Sequence, residues 1–110
     1  MPKVLLDHGV TRLLAPMLSG HIVKTAREMG WDRLGNGALL AAAANDAFNV
    51  FLTVDKKLRK QQNVGKLPLP VIAIDAIGNI LVSLAPYAPD ILSVLSQRLE
   101  RRVYVIPRRP

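Results

Sequence analysis

The chain has 110 residues, half of them hydrophobic, with no cysteine and a formal net charge of +7. That length and apolar content indicate one folded domain, and the lack of cysteine excludes disulfides, thiolate metal sites and a cysteine nucleophile. We expect a cytoplasmic protein without membrane contact, because no apolar run approaches the length of about 18 residues that a bilayer span requires, and the run before Asp7 is too short for a signal peptide.

The first half of the chain is predicted to alternate strands with helices. Residues 3–6 form a short apolar run that predicts a buried strand. Residues 11–18 carry apolar side chains at helical spacing and predict an amphipathic helix. A second strand is predicted over residues 21–25, and the alanine-rich segment 38–46 predicts a helix for which Asn36 is a candidate N-cap.

The second half continues the same alternation. Residues 50–54 are β-branched and aromatic, which favours a central strand, and a basic helical turn is predicted over residues 56–62. Residues 71–74 predict the fourth strand. Two helical segments separated by prolines precede a final edge strand over residues 102–106.

This order of elements predicts an α/β fold, with a largely parallel sheet of about five strands and helices on both faces. We expect residues 1–106 to form a single domain. Residues 107–110 are expected to be a frayed basic tail.

Two aspartates directly follow apolar runs that are predicted to be strands, Asp7 after the first run and Asp55 after the third. Ligands of parallel sheets bind beyond the carboxyl ends of the strands, and neighbouring strands lie about 5 Å apart, so two carboxylates there could bridge one divalent cation. Each has a structural alternative, Asp7 as a turn or cap residue and Asp55 as the N-cap of the basic turn. Thr53 could orient a carboxylate or be a plain strand residue. His8 could be a general base, a metal ligand or a hydrogen-bonded surface residue.

The net charge suggests contact with a polyanion, although a basic surface also serves solubility alone. Four of the positive charges, Lys56, Lys57, Arg59 and Lys60, follow Asp55 closely. They could hold nucleic-acid phosphates or form a solvated helix face.

Three blocks of the chain resemble small single-domain PIN-like proteins, which are related to the PIN-domain nucleases found as toxins in toxin–antitoxin pairs. The blocks are Val4-Leu5-Leu6-Asp7 with the Arg-Leu-containing helix after it, Gly20-His21-Ile22-Val23 leading to Gly30-Trp31 and the alanine-rich helix, and Phe51-Leu52-Thr53-Val54-Asp55-Lys56-Lys57-Leu58. With the later strand–helix–strand pattern, the resemblance covers nearly the whole chain.

The acidic pattern of that family is only partly present. Asp7 and Asp55 match it, whereas His8, Asn36 and Lys57 stand where the family has acidic residues. The site that the resemblance implies is therefore a degenerate one.

The resemblance implies an endoribonuclease that uses Mg²⁺ or Mn²⁺, with Asp7 and Asp55 as metal ligands and Asn36 as a third, weakened catalytic position. It implies RNA as the substrate and a small antitoxin protein as partner, and a homodimer is a further option. The alternative is a catalytically inactive PIN-like module that binds RNA or a protein partner.

Overall fold

The computed structural model describes residues 2–59, 67–76 and 80–109. Five strands of four residues each lie in these ranges: β1 (Lys3–Leu6), β2 (Ile22–Thr25), β3 (Val50–Thr53), β4 (Val71–Ile74) and β5 (Val103–Ile106). They form one sheet in the order β2-β1-β3-β4-β5, and every neighbouring pair is parallel. The predicted parallel α/β sheet, with β5 at one edge, is thereby confirmed.

Helices connect the strands. The α-helices of the described residues are α1 (Asn36–Asn45), α2 (Lys56–Arg59), α3 (Leu81–Leu84) and α4 (Ala88–Leu95), and two 3₁₀ helices span Arg12–Met17 and Ala85–Tyr87. Within the ranges given above, no helix combines the length and the hydrophobicity that crossing a bilayer requires.

Some local predictions differ from the structure. The segment after β1 is a 3₁₀ helix rather than an α-helix, and it contains Pro16, which cannot donate a backbone hydrogen bond. Asn36 is the first residue of α1 and Gly35 is its N-cap, so the prediction that Asn36 caps this helix was wrong. The basic helical turn spans Lys56–Arg59, and the rest of its predicted range lies outside the described residues.

The strands are apolar on both faces because helices cover both faces of the sheet. Val4 and Leu6 belong to an apolar cluster that also contains residues of the 3₁₀ helix Arg12–Met17, α3 and α4. Leu5, between them, points to the opposite face and packs with α1 and α2. Full burial of one such leucine side chain stabilises the fold by about 2 kcal/mol, so both faces contribute.

The strand order reverses direction once, at the carboxyl ends of β1 and β3. The chain moves from β1 outward to β2 on one side, whereas β3 lies on the other side of β1 and leads on to β4 and β5. The winding therefore reverses between β1 and β3. The carboxyl ends of the two strands at such a reversal are where ligands bind in open α/β sheets.

The carboxyl end of α1 turns into β3 through a Schellman motif. The Phe48 N–H donates to the Ala43 carbonyl at 3.0 Å, and the Ala47 N–H donates to the Ala44 carbonyl at 3.3 Å. Ala47 carries the left-handed conformation that this motif requires, with φ of 62°. Glycine adopts this conformation without the steric penalty that a Cβ atom brings.

Ala47→Gly should therefore raise the free energy of unfolding, by about 0.5–1 kcal/mol, because relief of the left-handed strain exceeds the extra entropy of the unfolded chain. Urea denaturation measures the difference. The matched control is Ala41→Gly, the same chemical change at an exposed position inside α1, which should lower stability by about 1 kcal/mol. Destabilisation by both substitutions would contradict the prediction.

Candidate functional site

Asp7 and Asp55 both lie at the carboxyl edge of the sheet, beyond β1 and β3. The Asp7 N–H donates to the Leu52 carbonyl at 2.9 Å, which extends the β1–β3 ladder by one residue. Since Leu6 pairs with Leu52, the register sets Asp7 beside Thr53, with Asp55 two residues further along. The two aspartates were expected to be neighbours across the strands, but the residue directly opposite Asp7 is Thr53.

The Thr53 hydroxyl links the two aspartates. It donates to Asp7 Oδ2 at 2.6 Å and accepts the backbone N–H of Asp55 at 3.0 Å. Thr53 is completely buried, and Asp7 is 7% exposed. Because a hydroxyl can donate and accept at once, this one side chain orients a buried carboxylate and fixes the backbone that carries the second.

Asp55 is held by two nitrogen donors. Its Oδ1 accepts the backbone N–H of Lys57 at 2.7 Å, and its Oδ2 accepts the Asn36 side-chain amide at 2.7 Å. The Lys57 N–H is the largest cause that lowers the pKa of Asp55, and the Asn36 amide lowers it further against the opposing effect of burial. Asp55 is thus an ionised carboxylate that also caps the first turn of α2.

Asn36 faces Asp55 from the first turn of α1. An aspartate at this position, as in the family pattern, would set two carboxylates within hydrogen-bonding distance, where they repel unless a proton or a cation lies between them. The amide of Asn36 donates a hydrogen bond there instead. The contact is therefore favourable without any ion.

His8 forms hydrogen-bonding contacts with Asp7 and with the loop before α1. Its backbone N–H donates to Asp7 Oδ1 at 2.7 Å, and its Nε2 lies 3.0 Å from the Leu34 carbonyl. A carbonyl only accepts, so Nε2 is the protonated ring nitrogen in this contact. The imidazole thereby ties the loop after β1 to the loop that precedes α1.

The predicted phosphate-binding residues are only partly located. Lys56 and Lys57 are exposed at the start of α2. Arg59 ends α2, and its side chain, like all of Lys60, lies outside the described residues.

The donor chemistry of the site suits one hard cation. Each of the four oxygens of Asp7 and Asp55 accepts at least one hydrogen bond, and a carboxylate oxygen has a second lone pair. The Leu58 backbone N–H and the charge of Lys57 also lower the pKa of Asp55. Neither aspartate forms an ion pair with a lysine or arginine side chain of the described residues. Those residues include no cluster of three or more His, Cys, Asp or Glu. Mg²⁺ needs only one or two carboxylates and completes its shell with water, so two aspartates are enough in number for one ion and too few for two.

A cleft of about 310 Å³ opens beside Asp7, and Asp55 does not line it. Its walls include Arg12, Thr25 and Arg27, which the sequence reasoning did not single out as site residues. A signal for two of them was present, because Thr25 ends β2 and Arg27 is the second residue after it. The carboxyl-edge rule applies to β2 as well as to the strands that end in aspartates.

Removal of the Thr53 hydroxyl should destabilise the fold. Thr53→Val keeps the shape of the side chain but leaves Asp7 Oδ2 and the Asp55 N–H without this partner, and we expect a loss of about 2–3 kcal/mol in the free energy of unfolding. Thr53→Ser, which keeps the hydroxyl and loses one buried methyl, should lose about 1 kcal/mol. Urea denaturation compares them, and a serine variant no more stable than the valine variant would contradict the linking role of the hydroxyl.

The hydrogen bonds to Asp55 should make stability depend on pH. Because the pKa of Asp55 is lowered from 3.8 in the folded state, its ionised form contributes stability that is fully present above the unfolded pKa and is lost as pH falls through the folded pKa. The stability advantage of the wild type over Asp55→Asn should therefore narrow as pH falls from about 5 to about 2. Urea titrations across this range measure the gap, and a gap that stays constant would show that the carboxylate gains nothing from its donors.

No protein-family model matches this chain, and comparisons with curated proteins and with solved structures find no significant match.

Proposed function

We propose that the protein is a PIN-like, metal-dependent endoribonuclease in which Asp7 and Asp55 hold one Mg²⁺ or Mn²⁺ ion. The observation that carries this proposal is the Thr53 hydroxyl, which couples the two aspartates at the carboxyl ends of neighbouring strands. Both lie where the winding of the sheet reverses, the usual ligand position of such sheets.

The residues around the ion have distinct tasks in this reaction. Thr53 and the His8 backbone hold the two oxygens of Asp7 in place, and Asn36 with the Lys57 backbone does the same for Asp55. These four hydrogen bonds fix the carboxylates before a substrate arrives, which lowers the reorganisation that catalysis requires.

A bound divalent cation supplies the polarisation of a phosphoryl oxygen and the lowered pKa of a coordinated water. Lys56 and Lys57, exposed at the start of α2, would neutralise the backbone phosphates of the RNA as point charges. The net charge of +7 favours the approach of a polyanion.

The toxin-like role and the small antitoxin partner follow from the resemblance to PIN-domain toxins. Self-association to a homodimer has one structural support, because β2 and β5 are the edges of the sheet and each can pair with a further strand.

A second function, a catalytically inactive PIN-like module that binds RNA or protein, is favoured by the contact between Asn36 and Asp55. This hydrogen bond satisfies Asp55 where the family pattern has an acidic residue, so the site is stable without a cation. The two functions share the basic surface and differ in whether the carboxylates take up an ion.

Cleavage of a structured RNA in the presence of Mn²⁺ tests the choice. Asp55→Asn and Asp7→Asn should each reduce the cleavage rate by about 100-fold or more, because each removes a charged ligand of the ion that stabilises the transition state. Asp46→Asn is the matched control, since Asp46 is an aspartate in an ion pair with Lys3 at the opposite edge of the sheet. It should cleave at the wild-type rate.

Two outcomes would overturn the nuclease proposal. One is a wild-type protein that binds the RNA with equal affinity in Mn²⁺ and in a chelator and never cleaves it, which identifies the binding module. The other is cleavage that survives Asp55→Asn, which identifies a contaminating nuclease.

A further inference from the structure

The cleft beside Asp7 brings together two arginines from different parts of the chain. Arg12 comes from the 3₁₀ helix after β1, and Arg27 comes from the turn after β2. We propose that this cleft binds one phosphorylated nucleoside unit of a single-stranded RNA, with Arg12 and Arg27 as the phosphate ligands. The choice of RNA rests on the proposed function, whereas the affinity for phosphate rests on the cleft itself.

Both guanidinium groups are available for a ligand. Arg12 and Arg27 are exposed and form no ion pair with a carboxylate of the described residues. Other arginines of the chain do pair, Arg108 with Asp75 at 3.1 Å and Arg109 with Asp90 at 3.0 Å. The planar fork of an arginine matches the oxygens of a phosphate, so two arginines that line one cleft are suited to bind one anion together.

The backbone that carries Arg27 is fixed by a reciprocal pair of hydrogen bonds. The Thr25 N–H donates to Glu28 Oε1 and the Glu28 N–H donates to Thr25 Oγ1, each at 3.0 Å, as in a capping box. The turn therefore has a defined shape, and the Glu28 carboxylate is engaged with the backbone rather than with Arg27. A side chain on a fixed turn loses less entropy when it binds a ligand.

Arg12 is presented in a similar way. It begins the 3₁₀ helix, and the Thr11 hydroxyl before it accepts the Leu13 N–H at 3.3 Å. The backbone at each arginine is thus fixed by a local motif of its own.

The size of the cleft favours a single nucleotide. Its volume of about 310 Å³ is at the lower end of the range for small-molecule sites, about 300–1,000 Å³. Val10 and Ala26 are among the lining residues, but they are only 5% and 1% exposed and offer a ligand little surface. The volume of the cleft exceeds what a free phosphate ion fills, so it has room for a nucleoside unit together with its phosphate.

The electrostatics of the cleft couple this ligand to the metal. The carboxylates of Asp7 and Asp32 also line the cleft and offset the charges of Arg12 and Arg27. A cation held by Asp7 would leave the cleft with a net positive charge. The phosphate and the cation should therefore each strengthen the binding of the other.

Fluorescence anisotropy with a labelled single-stranded RNA, in a chelator so that no cleavage occurs, tests the cleft independently of catalysis. Arg12→Gln and Arg27→Gln should each weaken binding by about 5- to 10-fold and reduce the slope of log K against log salt by about 0.7. Arg98→Gln makes the same change at an exposed arginine in the connection that enters β5. It should bind like the wild type.

Lysine variants separate the effect of charge from that of guanidinium geometry, and competitors show how much of the RNA the cleft binds. Arg12→Lys and Arg27→Lys should restore the salt slope but only part of the affinity, because lysine keeps the charge and loses the fork. Competition by adenosine monophosphate would show that one nucleotide is enough for binding. Competition by oligonucleotides alone would show that a longer strand is required. Either result supports the cleft if the competition is lost in the arginine variants.

Three results would overturn the inference. The first is RNA affinity that falls equally in Arg98→Gln and in the two cleft variants. The second is competition by a phosphoserine peptide that is as strong as competition by the nucleotide. The third is a set of glutamine variants that urea denaturation shows to be unfolded, together with folded lysine variants that bind RNA no better. If Asp55→Asn loses RNA cleavage but keeps arginine-dependent binding, the cleft inference is supported. If the wild-type protein shows arginine-dependent binding and never cleaves RNA, only the nuclease proposal fails.

Discussion

The carboxyl edge of the sheet depends on one buried hydroxyl. Thr53 donates to the carboxylate of Asp7 and accepts the backbone N–H of Asp55, so it joins the ends of β1 and β3. A threonine suits this position in two respects. Its branched Cβ favours the strand, and its hydroxyl satisfies two polar groups in a place that water does not reach.

The hydrogen bond from Thr53 helps to satisfy the nearly buried carboxyl group of Asp7. An isolated carboxylate in the protein interior is strongly disfavoured, but Asp7 accepts one donor on each oxygen, from Thr53 and from the His8 backbone. Asp55 is satisfied in the same way by Asn36 and Lys57. The network spans β1, β3, α1 and α2, so the positions of the carboxylates follow from the fold itself.

The sequence predicted the elements whose cause is local and missed those whose cause is not. Continuous apolar runs were enough to predict the strands, and the carboxyl-edge rule was enough to select Asp7 and Asp55. The role of Asn36 depends on a hydrogen bond to a residue 19 positions away, which its neighbours in sequence do not indicate. The place of Arg27 depends on the turn that Thr25 and Glu28 close, and the register beside Thr53 depends on how two strands align.

The two candidate functions differ in thermodynamic coupling as well as in cleavage. If a cation binds at Asp7, it changes the charge of the same cleft that contains Arg12 and Arg27. The factor by which the ion raises RNA affinity must then equal the factor by which RNA raises affinity for the ion. A binding module whose Asp55 is already satisfied by Asn36 shows arginine-dependent affinity without this reciprocity. The coupling between ion and strand therefore separates an enzyme from a binder even under conditions in which neither cleaves RNA.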